Sequence, residues 1–283
     1  MNFRLINTGC FYADGGAMFG SVPKVAWSRS YPVNERNLCV LAMHAGIIQT
    51  DDGHIIVVDP GVRPDQLKDS PAIYYQFHDM VDICDSLRQM NIQPEEVTDV
   101  IFTHLHFDHC GAAVRKQANG IPEPVFPNAV HWVSRAQYEN ERTPHPLEAE
   151  SFLPKNTEML DKYGLLRCIE ATAQPYESLR MQLYDGHSSG QIAAYIRTTI
   201  SSTGTSETIV FPGDIIPLAS HIVQERISAY DLFPTLSYNG KTEILEKAAS
   251  GNHLLIFYHD AYTPCATIKK MRTSFKINKK ASI

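Results

Sequence analysis

The chain has 283 residues, of which 43% are hydrophobic and 20% charged, a composition typical of a globular protein with a large buried core. Its formal charge of −6 gives no overall basic footprint, so we expect no nucleic-acid partner. The most apolar run, residues 38–48, is too short to cross a bilayer. The first residues also lack the apolar stretch of a secretory signal. We therefore expect a protein with no membrane partner.

The six cysteines are scattered along the chain and form no CxxC pair. This usage is typical of reduced, mostly buried thiols rather than of a disulfide framework. We therefore expect a cytoplasmic location.

Strands and helices are predicted in alternation along the chain. The strands are expected at residues 3–8, 38–44, 47–49, 54–59, 98–102, 129–133, 181–184, 192–200, 207–211 and 253–258. Helical segments are expected at 72–90, 94–96, 134–140 and 242–250, and a surface excursion at 141–155. Strands clustered in each half, with helices between them, predict an α/β protein of two sheets covered by helices.

The most informative segment is His104-Leu105-His106-Phe107-Asp108-His109, which follows a short apolar strand. Three imidazoles and a carboxylate packed this closely are costly unless a cation holds them. Neutral imidazole and carboxylate are preferred ligands of zinc and of other first-row divalent metals. The segment therefore predicts a metal site.

Three further candidate ligands each follow a predicted strand. They are His187 in a glycine-flanked loop, Asp214 in the sequence Pro212-Gly213-Asp214, and His259 in the sequence Tyr258-His259-Asp260. Asp59, before Pro60-Gly61, is interpreted as a turn-forming or supporting residue rather than as a ligand.

The order HxHxDH, GHxxGx, GD and a strand-end histidine resembles the metallo-β-lactamase-fold hydrolases. The segments 14–20, Pro23-Lys24 and 104–109 further resemble the quorum-quenching N-acyl-homoserine lactonase branch of that family. The resemblance implies a single domain over residues 1–283 with an αβ/βα sandwich, two mixed β-sheets flanked by helices. It also implies two divalent metal ions. Zinc is the first choice for these ligands, with iron, manganese and cobalt as alternatives.

The resemblance also assigns the ligands. His104, His106 and His187 would hold one metal, Asp108, His109 and His259 the other, and Asp214 would bridge them. A metal-bridging hydroxide would then attack the carbonyl of a small-molecule lactone or ester with an apolar tail. Asp108 would orient this nucleophile and carry a proton to the leaving group.

The best-known lactonases carry a tyrosine shortly after the bridging aspartate, where this chain has residues 215–221 without one. His221 is the nearest donor, and we expect it to be catalytic in its place. Met18 and Phe19, in a glycine-containing segment, are expected to be exposed and to contact either the substrate or a second copy of the chain in a homodimer.

Several other functions are compatible with the same ligands. Within hydrolases these are a glyoxalase II-like thioesterase, a phosphotriesterase and, less favoured, a β-lactamase. The basic residues near the C-terminus keep the glutathione thioesterase open, although a solvated tail is their commoner meaning. An iron-dependent oxidoreductase and a non-catalytic binding protein are disfavoured by the complete ligand set.

Overall fold

The computed structural model describes residues 3–66, 74–117, 119–200 and 205–280. Its strands are β1 (Phe3–Asp14), β2 (Leu38–Gln49), β3 (Ile55–Val58), β4 (Asp99–Ile101), β5 (Val114–Lys116), β6 (Pro122–Pro124), β7 (Val130–Ser134), β8 (Leu166–Ile169), β9 (Ala173–Tyr176), β10 (Leu179–Tyr184), β11 (Gln191–Ile200), β12 (Thr205–Phe211), β13 (Leu254–Ile256), β14 (Cys265–Lys270) and β15 (Phe275–Lys280). Its α-helices are α1 (Gly15–Phe19), α2 (Lys24–Trp27), α3 (Ile83–Gln89), α4 (Phe107–Cys110), α5 (Arg135–Arg142), α6 (Pro154–Lys162) and α7 (Pro234–Gly251).

Two mixed sheets form the centre of the fold. The first has the strand order β1-β2-β3-β4-β7-β8, and the second has the order β15-β14-β13-β12-β11-β10-β9. In the first sheet β3, β4, β7 and β8 are parallel, whereas in the second only β12 and β13 form a parallel pair. Apolar residues of both sheets share one buried cluster, and two further clusters pack the outer faces against helices. The expected αβ/βα sandwich is therefore confirmed.

The two sheets approach each other closely at Gly46. A Cβ atom at this position of β2 would lie 2.1 Å from the Phe211 ring at the end of β12. Only glycine leaves room for this ring. The contact brings the end of β12 against the first sheet.

Backbone hydrogen bonds join the sheets at the same edge. The amide of Ala42 in β2 donates to the carbonyl of His259, which follows β13, over 3.0 Å. The amide of Ile192 in β11 donates to the carbonyl of Thr103, which follows β4, over 2.7 Å. The ends of strands from both halves of the chain are thus held together.

The prediction of a long helix over residues 72–90 is wrong. Residues 72 and 73 lie outside the described part, and the helix present here is α3, which begins only after Asp82 caps the amide of Cys84. Gln76 and Asp79 adopt positive φ angles of 50° and 51°, which interrupt a right-handed helix. The apolar spacing instead reflects side chains such as Phe77 that pack beside β1.

The structure adds elements that the sequence pattern does not indicate. The segment 141–155, expected as an excursion, leads into α6, and the lysine-rich C-terminal stretch forms the hairpin of β14 and β15 rather than a solvated tail. Within the described residues, no helix combines the length and apolarity that a membrane crossing requires.

A buried carboxyl group lies between α5 and α6. The Glu141 side chain receives a hydrogen bond from the Thr157 hydroxyl, while its Oε1 atom has no partner among the described residues. Burial raises the pKa of Glu141 to about 7, although the Thr157 hydrogen bond opposes the shift. Below pH 7 the folded protein therefore favours the protonated form of Glu141.

This pKa predicts a loss of stability as the pH rises. Between pH 4.5 and pH 7 the folded chain holds the Glu141 proton that the unfolded chain releases, so the free energy of unfolding falls by up to about 3 kcal/mol. Glu141→Gln should remove this part of the pH dependence and be more stable than the wild type at pH 7.5. Urea denaturation at pH 5.0 and pH 7.5 measures it.

Glu139→Gln is the matched control, because Glu139 lies on the same helix but is exposed. If Glu141→Gln and Glu139→Gln show the same pH dependence as the wild type, the assignment of this titration to Glu141 is incorrect.

Candidate metal centre

Seven polar side chains converge where strands of both sheets end. The turn after β4 and the short helix α4 carry the first four, and the turns after β10, β12 and β13 carry one each. Side chains at strand ends escape the apolar packing between the sheets, and they can therefore meet in one place. These residues are His104, His106, Asp108, His109, His187, Asp214 and His259.

The potential ligand atoms form three overlapping groups, each with all its atoms within 4.8 Å of one another. The first contains His104, His106 and His187; the second contains His104, His109 and Asp214; the third contains Asp108, His109 and His259. The structure thus brings together all seven side chains that the sequence singles out, with Asp214 between the two outer groups.

Each of the five imidazoles is hydrogen-bonded on its outward-facing nitrogen. The outer partners are Thr103 Oγ1 for His104 Nδ1 (3.1 Å), Glu148 Oε2 for His106 Nε2 (3.1 Å), Asp59 Oδ2 for His109 Nδ1 (2.9 Å), Asp231 Oδ1 for His187 Nδ1 (3.1 Å) and the Ala42 carbonyl for His259 Nδ1 (2.8 Å). Carbonyl and carboxylate oxygens only accept, and the Thr103 hydroxyl donates its own proton to Asp59. The outward nitrogens are therefore the protonated ones.

When these imidazoles are neutral, as metal ligands must be, their inward nitrogens carry bare lone pairs that face one another. His104 Nε2 lies 3.0 Å from His106 Nδ1, and His106 Nδ1 lies 3.2 Å from His187 Nε2. His109 Nε2 lies 3.3 Å from His259 Nε2. Neutral imidazoles that already donate outward have no proton left for these contacts. A cation between the inward nitrogens would accept their lone pairs and so satisfy them.

Asp214 strengthens this fit. Its Oδ1 atom is buried and has no hydrogen-bond partner among the described residues, yet it lies 3.3 Å from His259 Nε2 and 3.4 Å from His109 Nε2. Its Oδ2 atom lies 3.5 Å from His187 Nε2. A carboxylate with one oxygen toward each group suits a position between two cations. The residues present therefore fit a two-metal centre.

Charges within the cluster oppose the cost of burial. Burial lowers the pKa of His109, but the nearby carboxylates, first those of Asp108 and Asp214, raise it well above its usual range. Burial would raise the pKa of Asp214, but the imidazoles, first that of His259, hold it well below. His104 faces mainly other imidazoles, so burial and then His109 lower its pKa. The carboxylates thus make the centre attractive to positive charge.

Asp59 supports two ligands at once. Its carboxylate accepts hydrogen bonds from the Thr103 amide (2.7 Å) and hydroxyl (2.6 Å) as well as from His109. The residue adopts a positive φ of 47° after β3, a conformation that aspartate tolerates better than most residues. Asp59 therefore orients the turn that carries His104 and the imidazole of His109.

Sequence reasoning does not identify Glu148 and Asp231, the other two carboxylates in this outer layer. Glu148 lies in the charged segment 141–155 and also accepts from Ser188 (2.8 Å) and Asn140 (2.6 Å). The only indication of Glu148 in the sequence is its position among many charged residues, and the sequence gives no indication of Asp231. Both carboxylates are buried, and carboxylates are rarely buried unless they have partners such as these.

A cavity of about 80 Å³ opens onto the cluster. Its lining includes Asp108, Asp214, three of the histidines and a set of largely apolar side chains, namely Phe11, Ala13, Met18, Leu41, Tyr75, Phe107, Leu147 and Tyr230. No lysine or arginine lines it among the described residues.

Two residues singled out in the sequence do not reach this cavity. His221 is buried, bonds the Met18 carbonyl through Nε2 over 2.9 Å, and stacks on Phe19 with ring centroids 5.1 Å apart. Phe19 is fully buried between His221 and Trp27. Met18 lines the cavity but is only 3% exposed, so the expectation of an exposed Met18–Phe19 pair is wrong.

Two tyrosines provide hydroxyl groups at the cavity instead. The side chains of Tyr75 and Tyr230 share a hydrogen bond, and burial raises the pKa of both, with Asp108 adding to each shift. Both therefore stay protonated at neutral pH and can donate. The Tyr230 loop is fixed beside α1, because the Ala229 amide and the Ser228 hydroxyl both donate to the Ala17 carbonyl.

Comparisons with known proteins agree with this architecture. Residues 42–148 match the model of the Metallo-beta-lactamase superfamily, and this match includes the segment 104–109 but ends before the other three candidate ligands. N-acyl homoserine lactonase AttM of Rhizobium johnstonii is 32% identical over 127 residues, which are 42% of this chain and 43% of that protein. The protein of the same name from Agrobacterium fabrum is 35% identical over 81 residues, 29% of this chain and 26% of that protein. The matched region thus spans less than half the length of these curated relatives.

Solved structures resemble the chain over nearly its whole length. A probable metal-dependent hydrolase from Staphylococcus aureus has a TM-score of 0.85 with 26% identity, covering 99% of this chain and 98% of that one. AidC, a dizinc quorum-quenching lactonase, has a TM-score of 0.74 with 16% identity, covering 100% and 98%. Residues 42–148 therefore match the Metallo-beta-lactamase superfamily, and the whole chain is similar in fold to the probable metal-dependent hydrolase.

Proposed function

We propose that the protein is a dinuclear metal-dependent hydrolase that opens the lactone ring of N-acyl-homoserine lactones. The observation that carries this proposal is the set of inward-facing imidazole nitrogens with Asp214 between them. The names of the partial relatives, N-acyl homoserine lactonases, support the choice of substrate. Six scattered cysteines without a CxxC pair support a reducing, cytoplasmic location.

The ligand roles follow from the three groups of atoms. His104, His106 and His187 would hold one cation and Asp108, His109 and His259 the other, with Asp214 shared between them. We propose zinc, which suits imidazole and carboxylate ligands. Two such cations would acidify a water molecule and polarise the substrate carbonyl.

The charge of the cavity favours a neutral substrate. Its lining contains carboxylates but, among the described residues, no lysine or arginine. A glutathione thioester or a β-lactam brings a carboxylate that requires a cationic partner outside the metal centre. The basic residues that kept a glutathione site open lie on β14, on β15 and between these strands, and none of them lines this cavity. A lactone carries no charge and meets no such requirement.

The small cavity suits a compact head group. A cavity of about 80 Å³ accommodates a lactone ring at the cluster, whereas a long acyl tail exceeds it. Leu147 lines the cavity and is 81% exposed, so it offers an apolar surface where the tail would emerge. The tail would thus lie along the cavity mouth.

Asp108 is the residue that we assign to proton transfer. Its carboxylate lies 3.4 Å from His259 Nε2, lines the cavity and keeps 12% exposure. From this position it can accept a proton from the attacking water and deliver it to the alkoxide oxygen when the ring C–O bond breaks. Tyr230 would donate a hydrogen bond to the substrate carbonyl oxygen, with Tyr75 holding its hydroxyl in place.

A substrate panel with metal analysis tests the function. We expect about two zinc ions per chain and hydrolysis of N-hexanoyl-homoserine lactone, with kcat/KM at least about 100-fold above that for S-lactoylglutathione, a phosphotriester or a β-lactam. Asp214→Asn should lower both the metal content and lactone turnover. One metal per chain with no lactone hydrolysis would contradict the proposal.

Glu148→Ala tests the outer layer of hydrogen bonds. Without the Glu148 acceptor, His106 loses the partner that sets its orientation, and zinc affinity should fall about 10- to 100-fold. Competition with a chelator measures this change, and Glu148→Gln, which retains an acceptor oxygen, should restore part of it. Glu150→Ala is the control because Glu150 is exposed on the same segment. Equal zinc affinity in the Glu148→Ala and Glu150→Ala variants would remove Glu148 from the support of the centre.

Tyr230→Phe tests the proposed substrate contact. Losing one hydrogen bond to the reacting carbonyl should lower kcat/KM for the lactone by about tenfold while leaving zinc content unchanged. Steady-state kinetics measures the effect, with Tyr238→Phe as the control since Tyr238 is exposed on α7 and does not line the cavity. Unchanged kinetics in Tyr230→Phe would show that its hydroxyl does not contact the substrate.

A further inference from the structure

A second, larger cavity lies on the other side of the His259 turn. It has a volume of about 550 Å³, within the range of sites that bind small molecules. Its walls come from four parts of the chain: residues 30–32 after α2, residues 219–226, residues 260–263 after the His259 turn, and the strand β15. None of its lining residues lines the cavity at the metal centre.

Three cationic side chains line this second cavity. They are Arg226, Lys276 and Lys280, and within the described residues none has a carboxylate oxygen within 4.0 Å. Arg226 is half-buried, and burial lowers its pKa with no carboxylate to oppose the shift. Arg226 Nη1 donates to the Ser30 hydroxyl (2.8 Å) and to the Ser220 carbonyl (3.0 Å), whereas Lys276 and Lys280 are exposed. Cations that no carboxylate neutralises favour the binding of an anion.

The one carboxylate in the lining is already satisfied. Asp260 is buried, and its oxygens accept from the amides of Ala219 (2.8 Å), Tyr262 (2.9 Å) and Thr263 (2.6 Å). Lys280 donates to the Thr263 hydroxyl over 2.8 Å rather than to this carboxylate. Asp260 therefore serves the turn and leaves the cations available.

The remaining walls are mainly apolar and aromatic. Tyr31 and Tyr262 lie edge to face with centroids 5.3 Å apart, and Ile222, Phe275 and Ile277 complete the surface. The Ser220 hydroxyl, in the same lining, is buried without a hydrogen-bond partner among the described residues. An occupant therefore needs an apolar body as well as a negative charge.

We propose that this second cavity binds organic carboxylates with an apolar body. Arg226, Lys276 and Lys280 would hold the carboxylate, and the aromatic and aliphatic walls would enclose the hydrocarbon part. The site is separate from the metal centre, and its occupation does not depend on the reaction proposed there. It accounts for the basic character of β15 in a chain whose net charge is negative.

Hexanoate and hexanamide form a suitable pair of probes, because they differ in charge but hardly in shape. Isothermal titration calorimetry of the zinc-loaded protein should show saturable hexanoate binding, with a Kd on the order of millimolar. Hexanamide should bind at least about tenfold more weakly. In NMR spectra, hexanoate should shift the amide signals of Ser220 and Thr263.

Charge removal locates the binding. Lys276→Gln with Lys280→Gln should weaken hexanoate binding by about tenfold or more. Lys269→Gln with Lys279→Gln removes the same charge from exposed positions of the same hairpin that do not line the cavity, and it should change the Kd by less than about twofold.

Asp214→Asn separates the cavity from the metal centre, which can itself bind carboxylates. Hexanoate binding should persist in this variant. The proposal is overturned if hexanoate does not bind, if hexanamide binds equally well, if the two lysine pairs behave alike, or if only Asp214→Asn abolishes binding.

Discussion

Lone pairs that face one another are the constraint on which this structure depends. Imidazole nitrogens approach to 3.0 Å in the cluster while their opposite nitrogens are committed to outer acceptors. Such an arrangement is unfavourable in isolation, and it is held by the packing of two sheets and by Asp59, Glu148 and Asp231. Bound cations would offset the cost of holding the imidazoles in this geometry.

The sequence predicts which seven side chains converge because each candidate ligand directly follows a strand or lies in one short turn. It does not predict their support, since Glu148 and Asp231 come close only through tertiary packing. The prediction of a helix at 72–90 failed because the spacing of apolar residues cannot reveal the positive φ angles of Gln76 and Asp79. His221 lies near Asp214 in the sequence, but this proximity did not predict its position, because its side chain is buried away from the cavity.

The chain keeps its two kinds of charge apart. Carboxylates and imidazoles gather at the candidate metal centre, whereas Arg226, Lys276 and Lys280 line a separate cavity behind the His259 turn. Mixing them would place lysine or arginine beside the proposed cation sites and weaken metal binding by repulsion. The separation would therefore let one small fold present one surface for the proposed cations and another for the proposed carboxylates.

The distribution of the candidate ligands across both sheets would have a thermodynamic consequence. Four of them lie in residues 104–109, and the other three follow β10, β12 and β13 of the second sheet. A cation that binds all of its ligands binds only the state in which the sheets are docked, so by mass action it stabilises that docking. Bound metal would thus stabilise the interface between the two sheets. Its loss would loosen this interface before either sheet unfolded.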